Sequence, residues 1–127
     1  MRFLERRKLV GAADSGRNAT VAARLSSGLE SLRDLKSVGD VRGIGLLWGV
    51  EFVADKASKT PFGAELNFAG RVGQAAVRRG VLVYPMQGCV DGMSGDHLLI
   101  APPAVITADE IGWAVAQTKA AIEEAQG

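Results

Sequence analysis

The chain has one histidine, His97, and one cysteine, Cys89, and Asp96 stands next to the histidine. A thiol, an imidazole and a carboxylate could serve as nucleophile, general base and orienting acid. Two features oppose that reading. Neighbours on a strand point to opposite faces, so Asp96 and His97 would not pair if His97–Ile100 is extended. Cys89 falls in a glycine-containing loop, Met86–Asp96, with no recognisable pair of oxyanion donors. One histidine, one cysteine and no clustered carboxylates also make a poor zinc ligand set. No catalytic residue and no metal ligand is assigned from this pattern.

Gly43-Ile44-Gly45 looks at first like the start of a dinucleotide-binding loop. The third glycine, Gly49, comes one residue late, and the residues after Gly45 are strand-like, so no helix N-terminus would face a phosphate. A hairpin turn accounts for the glycines. Arg42, beside that turn, has two readings. It can bond loop carbonyls or pair with an acid, or it can bind a ligand carboxylate in the bidentate geometry that suits arginine. It is the one candidate substrate-binding residue. Trp48 and Trp113 read as core or interface residues rather than stacking platforms. Pro102-Pro103 forces an extended path that could shape a pocket wall.

The elements that would carry these residues follow from periodicity. Phe3–Leu35 is alanine-rich with helical spacing. Val21, Leu25, Leu29 and Leu32 fall on one stripe, and Leu4, Leu9, Ala13 and Gly16 roughly on another. This predicts one long helix, the alternative being two helices bent near Asp14–Asn18. Val38–Arg42 and Leu46–Val53 predict a β-hairpin, with Gly43 and Gly45 supplying positive φ at the turn. Leu46, Trp48, Val50 and Phe52 share one face of the second strand. Ala64–Arg79 predicts a helix with Leu66, Ala69, Val72, Ala76 and Val77 inward, ended by Gly80. Val81–Tyr84 is a short strand stopped by Pro85, and His97–Ile100 is another. Thr107-Ala-Asp-Glu110 is a capping box that opens a last helix with Ile111, Val115, Thr118 and Ile122 inward. The order α-ββ-α-β-β-α predicts an α+β fold: a small, mostly antiparallel sheet of three or four strands packed with helices, in a single domain over 1–127.

Composition sets the outer bounds. The 127 residues are 47% hydrophobic, enough for a core, with 15 basic and 14 acidic side chains and a net charge of +1. No basic block suggests nucleic acid. No apolar run approaches the length of a membrane span. The charged N-terminus, MRFLERRKLV, is no signal peptide. The single cysteine suits a reducing compartment, so a cytoplasmic location is expected.

VGDVRGIGLLWGVEFV (Val38–Val53) is the most specific stretch. Together with the helix Ala64–Arg79, the strand at Gly80–Val83 and the segment Pro102–Ile111, it resembles the C-terminal small domain of class III (fold type I) pyridoxal-phosphate-dependent aminotransferases. The resemblance runs from about Leu9 to Ala125. It implies a domain that closes over cofactor and substrate in a larger enzyme. It also implies amino-group transfer between an amino acid or amine and a keto acid in that enzyme. The family's imine-forming lysine and the aspartate that pairs with the pyridine nitrogen belong to a large domain, and neither motif is present here. Lys8, Lys36, Lys56, Lys59 and Lys119 all sit in polar or helix-surface contexts. Hence no cofactor-binding residue is assigned, and the isolated chain is expected to bind no pyridoxal phosphate and to lack activity. Many relatives carry a carboxylate-binding arginine three residues before the Pro-Pro pair. That position is Leu99 here, which implies an apolar substrate portion or another arginine. A surface left bare by the missing large domain implies a homo-oligomer, most simply a dimer, or a separate large domain as partner. The alternative is a stand-alone binding or interaction module that keeps the fold without catalysis. A small hydrolase using Cys89 or His97 is the weakest reading.

Overall fold

The structure, a computed structural model, describes residues 12–127. Helix α1 (Ala12–Glu30) runs unbroken through Asp14–Asn18, so the predicted single helix holds there; Phe3–Gly11 lies outside the described residues. α1 tightens into a 3-10 turn at Ser31–Asp34, short of the predicted end at Leu35. The bond from Leu35 N–H to the Leu32 carbonyl closes this turn and brings both leucines into the core. β1 (Val38–Ile44) and β2 (Leu47–Phe52) follow, then α2 (Phe68–Arg78), β3 (Tyr84–Gln87), β4 (Asp96–Ile100) and α3 (Ala108–Gln126). The strands form one antiparallel sheet of order β1-β2-β4-β3. The predicted α+β architecture is the one observed.

The hairpin is tighter than its sequence suggests. Ile44 pairs with Leu47, so the turn is Gly45-Leu46 alone. Gly45 takes φ +59°, as expected, but Gly43 lies within β1 and is needed for room. A Cβ there would meet the Leu47 carbonyl at 2.4 Å and the Trp48 ring at 2.5 Å. The indole thus lies flat against Gly43, while its Nε1–H donates to the Gly45 carbonyl at 3.0 Å. A register shift at Gly39 gives β1 a bulge.

Two further expectations shift. The helix predicted from Ala64 begins at Phe68, because Asn67 adopts a left-handed conformation and its side chain accepts the Gly70 N–H. Ala64–Leu66 is a separate 3-10 turn, so Leu66 is exposed rather than inward. Val77 is exposed as well, whereas Ala69, Val72 and Ala76 are buried. Gly80 does end the helix, with φ +87°. Bonds from Gly80 N–H to the Val77 carbonyl and from Val81 N–H to the Ala76 carbonyl complete a Schellman motif. The strand predicted at Val81–Tyr84 lies three residues later, across Pro85. Proline fits there because β3 is an edge strand, where a missing N–H leaves no partner unpaired. Thr107 caps α3 by accepting the Glu110 N–H, but the Glu110 carboxylate takes the Thr107 hydroxyl proton rather than a backbone N–H.

The helices cover one face of the sheet. Val21, Leu25, Leu29 and Leu32 from α1 and its turn, Val41, Val50, Phe52 and Leu98 from the sheet, and Ile111 and Ile122 from α3 form the core. The free edge of β1 is closed by cations. Arg33 donates to the Val41 carbonyl and Lys59 to the Gly39 carbonyl, which blocks strand addition there. No helix among the described residues is long and apolar enough to cross a membrane.

The packing at Trp48 makes a clear prediction. Gly43→Ala should destabilise the fold by about 1–3 kcal/mol, the usual cost of overpacking. Gly49→Ala, whose added methyl would meet nothing closer than 3.9 Å, should stay within about 0.5 kcal/mol of the parent. Urea denaturation midpoints of the two variants check the contrast.

Candidate functional site

The second face of the sheet carries the polar and reactive residues. Strand alternation and register place Arg42, Gly49, Leu99 and Tyr84 in one row across it. Asp40, Glu51, His97 and Met86 form the next row. Ile44 and Leu47 extend the face towards the turn, and both are exposed. Tyr84 and Met86 are exposed too, so this face has no cover among the described residues. Gly49 has no side chain, so the row has a gap between Arg42 and Leu99. They stand two strand spacings apart, about 10 Å.

Arg42 is not idle in that row. One guanidinium nitrogen bonds Asp40 at 2.8 Å and Glu51 at 3.0 Å. Arg33 reaches the other Asp40 oxygen at 2.9 Å and also pairs with Glu30. The result is an exposed ladder of two cations and three acids that ties the end of α1 to the hairpin. The hydrogen bonds it donates to Glu51 and then to Asp40 hold the Arg42 guanidinium more firmly charged than usual. Arg42, seconded by Arg33, in turn holds the Asp40 carboxyl below the ordinary aspartate range, against a smaller opposing effect of burial. Arg42 is thus paired with acids, one of the structural roles open to it. A ligand carboxylate would have to share the guanidinium with these two acids.

Asp96, His97 and Cys89 are not brought together. Asp96 turns to the helix side of β4, is 1% exposed, and accepts the Ala69 N–H at 3.1 Å. It anchors the first turn of α2, a role the sequence does not reveal because the two residues are 27 apart. Its second oxygen is buried without a protein partner. His97 lies on the opposite face, and Cys89 is exposed in the β3–β4 loop. Among the described residues no three histidine, cysteine, aspartate or glutamate side chains are grouped to hold a metal. Trp48 is core, whereas Trp113 is half exposed on α3.

The lysines do not fit a pyridoxal phosphate imine. Lys56 donates to the Arg33 and Leu35 carbonyls and Lys59 to the Gly39 carbonyl, which fixes both as loop anchors. Lys36 and Lys119 are exposed, and Lys8 lies outside the described residues. All four described lysines are exposed, and none sits in the buried apolar setting of an imine-forming amine. An apolar cleft of about 370 Å³ does exist between α1, α3 and the β3–β4 edge, bounded by Leu25, Tyr84, Pro102 and Ile106. No lysine lines it.

This small antiparallel sheet and its helices match part of solved aminotransferases. Known proteins agree. An adenosylmethionine-8-amino-7-oxononanoate aminotransferase of Nitratidesulfovibrio vulgaris is 38% identical over 99 residues, 78% of this chain and 17% of that protein. An uncharacterized aminotransferase of Schizosaccharomyces pombe is 45% identical over 75 residues, 59% of this chain and 16% of that protein. The solved adenosylmethionine-8-amino-7-oxononanoate aminotransferase of Methanocaldococcus jannaschii superposes with a TM-score of 0.77 at 28% identity, over 88% of this chain and 24% of its own. No family model matches. The chain is homologous to the C-terminal segment of class III aminotransferases. It spans about a sixth of the length of the curated relatives it matches.

The Asp40 ladder gives a pH prediction. A carboxyl whose pKa is depressed in the fold contributes stability above its unfolded value, about 3.9, and that contribution fades as pH falls through the lower folded value. Denaturant midpoints should therefore drop more steeply below about pH 4 in the parent than in Asp40→Asn. The gap should shrink in high salt, because the ladder is exposed.

Proposed function

We propose that this chain is the small domain of a class III aminotransferase. Its bare sheet face would cover a large domain that holds pyridoxal phosphate and transfers an amino group between an amine or amino acid and a keto acid. The observation that carries this is the row Arg42–Gly49–Leu99–Tyr84, a notched, mixed polar and apolar surface that no described residue covers. Homology over one segment of much longer enzymes supports the reading. The cofactor, when bound to the large domain, supplies the electron sink for the chemistry. This chain's part is to exclude water and shape the substrate side. Leu99 offers an apolar wall, and Arg42 is the guanidinium nearest to it along the row.

On this reading the isolated chain is inactive and works in the cytoplasm. Its exposed apolar side chains Ile44, Leu47, Tyr84 and Met86 would drive self-association, most simply as a two-fold dimer. Light scattering should give a mass above the monomer that falls when Leu47 and Tyr84 are replaced by serine. A monomer at all concentrations would count against this.

The functional test is a fusion. The large domain of the N. vulgaris relative, without its own matching segment, is joined to this chain. Transaminase activity should appear in the fusion and in neither part alone. A folded, cofactor-loaded fusion no more active than the large domain alone would refute the reading. In the active fusion, Leu99→Arg should raise the ratio of kcat/KM for an amino acid over the matched amine by about tenfold or more, as a charge-assisted pair with a carboxylate would. An unchanged ratio would remove Leu99 from the substrate wall.

A further inference from the structure

A second concavity, away from the bare sheet face, has a chemistry that the aminotransferase reading does not use. It lies where the start of β1, the end of β2, the first turn of α2 and the end of α3 meet, and has a volume of about 420 Å³. That is within the range of small-molecule sites. Its floor is apolar. Val53 and Phe68 are 1% exposed, and half-buried Phe62 stacks on Phe68 with ring centroids 4.3 Å apart and planes 10° from parallel. Phe52 meets Phe68 edge-on at 5.0 Å, so this floor is braced from the core.

The rim is made of donors. Lys36 and Arg71 line the pocket, and neither side chain is paired with a carboxylate among the described residues. Gln126 lines it as well. Its side-chain oxygen already accepts from the Ser37 backbone N–H at 3.2 Å and from the Ser37 hydroxyl, so its amide N–H groups are what it has left to offer. Among the described residues no aspartate or glutamate lines the pocket. The nearby acid Glu124 is held instead by Arg78 and Arg79. An aromatic floor beneath cations and amide donors, with no acceptor charge of its own, suits a ligand that is apolar at one end and acceptor-only at the other.

We propose that this pocket binds a small carboxylate with an aromatic or branched apolar body. The body would lie on Phe62 and Val53, and the carboxylate would reach Arg71 and Lys36. Arg71 offers the planar fork that matches a carboxylate, and Lys36 adds a point charge. The site does not depend on the aminotransferase reading, because none of its lining residues lies in the rows of the bare sheet face.

The experiment is a titration of the 15N-labelled 127-residue chain followed by amide NMR shifts. The probes are 3-phenylpropanoate and, as neutral control, 3-phenylpropan-1-ol. The acid should give saturable shifts centred on Ser37, Phe62, Arg71 and Gln126, and the alcohol should bind at least about tenfold more weakly. Arg71→Gln should weaken the acid about tenfold and leave the alcohol unchanged. Lys36→Gln should do the same to a smaller degree. Both are exposed substitutions, and a preserved amide spectrum would show that they fold. Shifts that do not saturate, that centre elsewhere, or that are equal for acid and alcohol would overturn the proposal. So would an Arg71→Gln variant that binds the acid as well as the parent does. If a variant misfolds, the acid–alcohol comparison on the parent chain still decides.

Discussion

The close approach of the Trp48 ring to Gly43 is the contact on which the rest of the molecule depends. It can form only if residue 43 has no side chain and the turn is held to Gly45-Leu46. Once formed, it locks β1 to β2 in one register. Because side chains alternate, a slip of β1 by one residue against β2 would send Val41 outward and carry Arg42 into the core. β4 then pairs along β2, and β3 along β4, so the single contact propagates across the sheet.

That register gives the domain its two unlike faces. The helix side is a continuous apolar core with one buried carboxylate, Asp96, serving the N-terminal turn of α2. A helix start leaves backbone N–H groups unbonded, and a distant side chain can satisfy one of them as well as a local cap can. Here both devices operate, Asn67 on Gly70 and Asp96 on Ala69. The other side is a bare surface whose cations are paired with acids in the ladder from Glu30 to Glu51. The sheet edges are closed separately, by Arg33 and Lys59 on β1 and by Pro85 on β3. A domain with guarded edges and an open face is suited to meeting a partner through the face rather than by strand addition.

The described basic residues divide by what they do. Arg33, Arg42, Lys56 and Lys59 hold carbonyls or acids and fix loops in place. Arg78 and Arg79 share Glu124. Lys36 and Arg71 border a concavity with an aromatic floor and no acid among the described residues that line it. A net charge of +1 conceals this division, because it records totals and not positions.

The order of elements, the α+β class, the inward stripe of α1 and the stop at Gly80 were legible in the sequence. Each rests on a local rule: apolar spacing for the stripe, and the tolerance of glycine for a left-handed conformation at the stop. The resemblance carried by Val38–Val53 was legible for a similar reason, since a tight hairpin with a close ring contact restricts which residues can stand at each place. Tertiary contacts decided the rest. The start of α2 at Asn67 has a local signal, an asparagine that caps the Gly70 N–H, but the helical spacing that runs back to Ala64 obscures it. Pro85 reads as a strand breaker until the strand is known to be an edge. Arg42 reads first as a structural residue and second as a ligand binder, and Asp40 and Glu51 are the acids that folding brings beside it. The roles of Asp96, Phe62 and Arg71 rest on partners many residues away, and only folding brings those partners within reach.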